Sequence, residues 1–171
     1  SQPMVVQMDP RLKTPMAELA EQFRLSKQLY DQWLALASIT ENVRAIRARL
    51  TDLRARAPEG EVKTNLDALS GKLQALAGDG GPGRGGPGGA GGAGVANRLT
   101  VGSATTRVTT LFNLVEEIDA APTPQAAAAV PDVLKDSQSL QESWQTIVSQ
   151  DLPALNEKLR SAGLPLIEIK K

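Results

Sequence analysis

The chain has 171 residues, of which 41% are hydrophobic and only 3% aromatic, and it balances 19 basic against 19 acidic residues. It contains no histidine and no cysteine, which removes the commonest general base, the commonest metal ligands, the thiol nucleophile and any disulfide framework. Zero net charge gives no attraction to nucleic acid or to an anionic membrane, and no apolar run approaches the ~18 residues of a membrane span. The expectation is a protein with no catalytic centre, no cofactor, no metal, no nucleic-acid partner and no membrane insertion, and the heptad-spaced apolar residues that remain point to an all-α fold. No secretory leader pattern opens the chain, which starts inside a periodic pattern, as an excised piece of a longer protein would.

Residues 2–8 alternate, with Met4, Val6 and Met8 on one face, and read as a short strand. A single strand has no backbone partner. Residues 1–13 are thus either an extended segment ending a preceding β-domain or an N-terminal tail, and residues 14–171 are the helical part. Thr14-Pro15 reads as a helix start, Thr as N-cap and Pro at the first helical position, with Glu18 in the first turn to complement the helix dipole. Apolar or small residues then recur at 16, 19, 23, 26, 30, 33 and 37, a heptad seam. A second stripe runs through Leu25, Leu29, Leu36, Ile39 and Val43, so both faces are expected to be buried, against at least two neighbours, and the seam continues as Val43, Ile46, Leu50, Leu53 and Ala57 after a phase slip near Ser38–Thr40. The segment is one helix of residues 15–57, ~64 Å long at ~1.5 Å per residue, or two helices with Ser38 capping the second. The absence of Gly and Pro favours one.

Pro58-Glu59-Gly60 is a turn, and Val62, Leu66, Leu69, Leu73 and Leu76 set the seam of a second helix over 61–77, with Gly71 inside it. Residues 78–94 hold eleven of the fifteen glycines, so a linker is expected over 78–95. A third helix covers 102–120 with its seam at Val101, Ala104, Val108, Leu111, Val115 and Ile118. Thr123-Pro124 opens a fourth that runs to Ala162, with Gly163 and Pro165 ending it and Pro131 and Pro153 expected to kink or split it. Asp151 is placed to cap a restarted last segment, and residues 164–169 form an extended tail that can fold back. Two long helices lying side by side, with two short ones stacked end to end along them, make an elongated, mostly antiparallel helical bundle with three helices in most cross-sections.

Few side chains invite a chemical reading. Glu116, Glu117 and Asp119 sit on about one helical turn and read as a solvated helix end rather than as carboxylates facing across a cleft. The glycine tract lacks the Lys and the preceding strand of a phosphate loop, and Arg84 alone is no RGG cluster. Arg44, Arg47, Arg49, Arg54 and Arg56 make the second half of the first helix basic. Their stems suit intramolecular packing; the functional alternative is a partner interface at Arg47, Leu50, Leu53 and Arg54, for an acidic partner or a second copy of the chain. Trp33 and Trp144, near the middle of the two long helices, read as core anchors facing one another.

Two stretches carry a resemblance. Val-Val-Gln-Met-Asp-Pro-Arg-Leu-Lys-Thr (5–14) with Ala-Glu-Leu-Ala-Glu-Gln-Phe-Arg-Leu-Ser-Lys-Gln-Leu-Tyr-Asp (17–31), and Asp-Leu-Pro-Ala-Leu-Asn-Glu-Lys-Leu-Arg-Ser-Ala-Gly-Leu-Pro (151–165), resemble the C-terminal helical region of large bacterial sortilin-like, Asp-box (BNR) repeat β-propeller proteins. Those proteins are often labelled glycosyl hydrolase or sialidase-like. Residues 61–122 match only in general character. The resemblance implies a secreted or periplasmic parent and a preceding β-domain as partner. It carries no catalytic residue onto this chain, since a propeller site would lie outside it. The expectation is a non-catalytic helical accessory domain acting as spacer, docking surface or assembly module. The alternative is a self-associating coiled-coil oligomerisation module, and the weakest is part of a glycosyl hydrolase whose catalytic site lies elsewhere.

Overall fold

The computed structural model describes residues 13–78, 99–117 and 120–169. The expected N-terminal strand, the glycine tract beyond Gly78, and Ile118 and Asp119 lie outside them. The protein is an all-α elongated bundle: α1 (Met16–Arg56), α2 (Glu61–Ala77), α3 (Val101–Glu116), α4 (Pro124–Thr146), a π turn (Ile147–Asp151) and α5 (Leu152–Ser161). The π turn keeps α4 and α5 one continuous rod, so there are two long helices and two short ones. The long ones run in the same direction, and α2 and α3 run back along them end to end. Cross-links fix this layout: Gln22 Nε2 donates to the Val115 carbonyl at 2.7 Å, Gln141 Nε2 to Gln32 Oε1 at 2.6 Å, and Lys72 Nζ to Asp151 Oδ1 at 2.7 Å.

α1 is a single helix of 41 residues, ~62 Å long. It starts one residue later than the Thr-Pro signal suggests, with Pro15 in the capping position at an extended ψ of 144° and its carbonyl accepting from the Glu18 and Leu19 amides. Its buried positions are Gln22, Leu25, Leu29, Leu36, Ile39, Val43, Ile46, Leu50 and Leu53, joined by Ser26. With the half-buried Gln32, the nine form one unbroken three–four repeat. No phase slip exists in the core. The seam expected at 16, 19, 23, 26, 30, 33 and 37 is the wrong one for burial: Met16 and Phe23 are both 69% exposed, and Tyr30 is exposed too. The cause is mechanical. Val43 to Leu53 set the face of a rod that has no break, and extending that face backwards leads to Leu36, Leu29 and Gln22.

The short helices follow their seams. Leu66, Leu69, Leu73 and Leu76 of α2 and Val101, Ala104, Val108, Leu111 and Val115 of α3 are buried. Thr100 and Ser103 cap α3 reciprocally, the Ser103 amide to Thr100 Oγ1 at 3.2 Å and the Thr100 amide to Ser103 Oγ at 2.9 Å. The end-to-end stack closes there. Gly78 ends α2 at φ +81°, and a β-carbon on it would lie 2.9 Å from Thr100 Oγ1.

At the start of α4, Thr123 Oγ1 accepts from the Ala126 amide at 3.2 Å, with Pro124 at the first helical position. Pro131 sits inside α4 on its exposed face without ending it. Near Pro153 the helix neither stops nor restarts on Asp151, whose side chain makes no cap and instead meets Lys72. The Leu152 amide reaches back five residues to the Ile147 carbonyl. That extra residue shifts the core phase by one. The series Leu140, Trp144, Ile147 would next bury Asp151; the π turn buries Leu152, Leu155 and Leu159 instead.

Gly163, at φ +68°, lets the chain reverse, and the Leu164 amide caps the Leu159 carbonyl at 2.9 Å. The tail folds back as expected. Asn156 clamps it like a neighbouring strand, Nδ2 to the Ile167 carbonyl and Oδ1 from the Ile167 amide, both 2.9 Å, and Ile167 is buried. Asn156→Ala should cost about 1–3 kcal/mol, since both backbone groups lose their partner. Hydrogen exchange would read it as loss of protection at the Ile167 amide with the rest of the bundle unchanged.

Candidate functional site

Of the four residues expected at a partner interface, the two apolar ones point inward. Leu50 is 3% and Leu53 5% exposed within the chain's own core. Arg47 is exposed, and Arg54 is paired with Asp67 of α2, Nε to Oδ1 at 3.0 Å. Arg44, Arg47, Arg49, Arg54 and Arg56 are all exposed and flank a seam that is buried within the chain. Glu116 and Glu117 are exposed at the end of α3. Among the described residues no group of three or more carboxylates is arranged to hold a metal ion, and no helix is long and apolar enough to cross a membrane.

The unexplained surface is at the other end of α1. Among the described residues the exposed large apolar ones, Met16, Phe23, Tyr30, Trp33 and Leu34, lie on its first half, with only Leu114 elsewhere. Met16, Ala20, Phe23, Lys27, Tyr30, Leu34 and Ala37 are spaced four and three throughout, a second heptad seam, and all but the half-buried Ala37 are exposed. Two faces of one helix are thus apolar, and the bundle uses one. Burial is inverted at this level of the bundle: inside are Gln22 and Ser26, whose buried Oγ has no hydrogen-bond partner, while aromatic rings stand outside. Past Ala37 the outward positions become Glu41, Arg44, Ala48 and Thr51, so the apolar face ends there.

On the α3 side the face deepens into a groove. Tyr30 and Trp33 stack with centroids 6.2 Å apart and planes 18° from parallel, and Phe112 of α3 tilts against Tyr30 at 6.4 Å. These rings, with Val108, Thr109 and Asn113, line a space of about 300 Å³. On the open flank Arg24 makes a two-pronged contact with Glu21, at 2.8 and 2.6 Å, and Lys27 meets Asp31 at 2.7 Å. The Arg24 hydrogen bond holds the Glu21 carboxyl below the usual carboxylate range. The two pairs cancel, leaving the flank neutral. The arrangement can bury apolar surface from another molecule.

Phe23, Tyr30 and Trp33 were legible as apolar but not as exposed. The signal that separates the two seams is Gln22 and Gln32, which fall in register with Val43 to Leu53 and so mark the inward face despite being polar. No family model, curated protein or solved structure matches the chain.

Proposed function

We propose that this chain is a non-catalytic helical docking module, an accessory part of a larger secreted protein of the β-propeller kind suggested by residues 5–31 and 151–165. The observation that carries the docking reading is the second heptad seam of α1, from Met16 to Ala37, left without a partner among the described residues over ~32 Å of helix. A soluble surface keeps large apolar residues scattered; a patch of aromatic side chains aligned at helical spacing is the composition of an interface core. The rest of the molecule serves as a rigid stem that holds this face.

The test uses the chain's lack of native thiols. Lys27→Cys places one exposed cysteine beside Phe23 and Tyr30. Its maleimide alkylation rate under reducing conditions is measured in dilute chain, in concentrated chain, and with the remainder of the parent protein added. Docking predicts a several-fold drop in at least one of the last two. An unchanged rate in both overturns the reading.

A further inference from the structure

We infer that the occupant of this face is the same face of a second copy, with the two α1 helices packed antiparallel. This rests on the docking reading above and names its partner. A heptad seam held over three repeats matches another helix, because only a helix presents knobs at the same spacing; a strand or a flat surface has no use for it.

The residues then select the orientation. A parallel pair in register would set Lys27 against Lys27 of the partner copy in the middle of an otherwise apolar seam, and its flanking contacts would join Arg24 to Leu19 and Asp31 to Ser26, neither of them charged. An antiparallel pair staggered so that residue numbers in contact sum to 57 places Phe23 on Leu34, Ala20 on Ala37 and Lys27 on Tyr30, each twice by the two-fold axis. The lysine then lies over an aromatic ring instead of a like charge. On the open flank the same stagger brings Arg24 beside Asp31 of the other copy, again twice. Arg24 keeps donors to spare beyond its two contacts with Glu21 and its one with Gln28. On the other flank the same stagger sets Trp33 beside Ser26 of the other copy, again twice, with the Tyr30, Trp33 and Phe112 groove at the edge of the contact. The basic end of α1 lies outside the contact.

Sedimentation of the whole chain over a hundredfold concentration range tests the association, and disulfide trapping tests the geometry. The expected result is a monomer–dimer equilibrium that Phe23→Glu shifts at least tenfold toward monomer, with helical content and melting temperature unchanged. Met16→Glu, equally exposed in the monomer, is a control for the edge of the seam and should shift it less. Mixing Arg24→Cys chains with Asp31→Cys chains under mild oxidation should give mainly mixed disulfides. A monomer at every concentration, a dimer indifferent to Phe23→Glu, or trapping only between identical variants overturns the inference. In the alkylation experiment, protection of Lys27→Cys by the parent's remainder but not by concentration would leave the docking reading standing and remove this one.

Discussion

Leu50→Glu is expected to unfold the chain rather than to dissociate an assembly. Leu50 sits in the core at 3% exposure. Truncating such a leucine costs about 2–5 kcal/mol, and a carboxylate in its place adds the penalty of a buried charge with no partner, several kcal/mol more. Against a total stability of roughly 5–15 kcal/mol this leaves little or no native population. Leu53→Glu should behave alike. Arg47→Glu, three residues away and exposed, should stay within about 0.5 kcal/mol of the parent. Far-UV circular dichroism with urea titration separates the three. A folded Leu50→Glu chain of altered mass would mean that the seam of residues 43–57 faces outward after all.

The helix layout was legible because its signals are local. Thr123-Pro124, the Pro58–Gly60 turn, Gly163 and the apolar spacing of 62–76 act within one or two turns, and the elements they bound appear within a few residues of expectation. Which face of α1 is inside is not local. Over residues 16–37 two seams compete, and the one with Phe23, Tyr30 and Trp33 is the more hydrophobic. It loses because the rotation of an unbroken rod is decided further along, at Val43 to Leu53, where only one seam is apolar. Composition ranks faces; continuity chooses between them. The candidate surface was invisible for the same reason, since it consists of the face that loses.

The π turn is a second non-local choice. Pro153 announces a disturbance, and a kink or a break is the ordinary expectation. What decides otherwise is the phase of the apolar residues on each side. Trp144 and Ile147 point to 151 and 154 as the next core positions, yet the leucines stand at 152, 155 and 159. One extra residue in a single wide turn reconciles the two without a break. Pro153 has no amide hydrogen to leave unpaired just beyond that turn. Asp151 is thereby carried out of the core to Lys72.

Trp144→Ala and Trp33→Ala should differ by several kcal/mol, although the two tryptophans stand at similar heights on the long helices. Trp144 is 7% exposed and fills the middle of the bundle, so its loss leaves a cavity costing about 3–5 kcal/mol. For a domain of this size that corresponds to a fall in melting temperature of ~10 °C. Trp33 is 40% exposed and rests on Tyr30 above the groove, so its removal forfeits a surface ring contact and should cost no more than ~1 kcal/mol. Fluorescence gives an independent reading. With Trp33 replaced by Phe, the remaining emission should be blue-shifted and poorly quenched by acrylamide. With Trp144 replaced by Phe, it should be red-shifted and readily quenched, and it should move to the blue only when the face of α1 is covered. Equal destabilisation by the two alanine variants would return both tryptophans to one core, and the docking face would lose the edge of its groove.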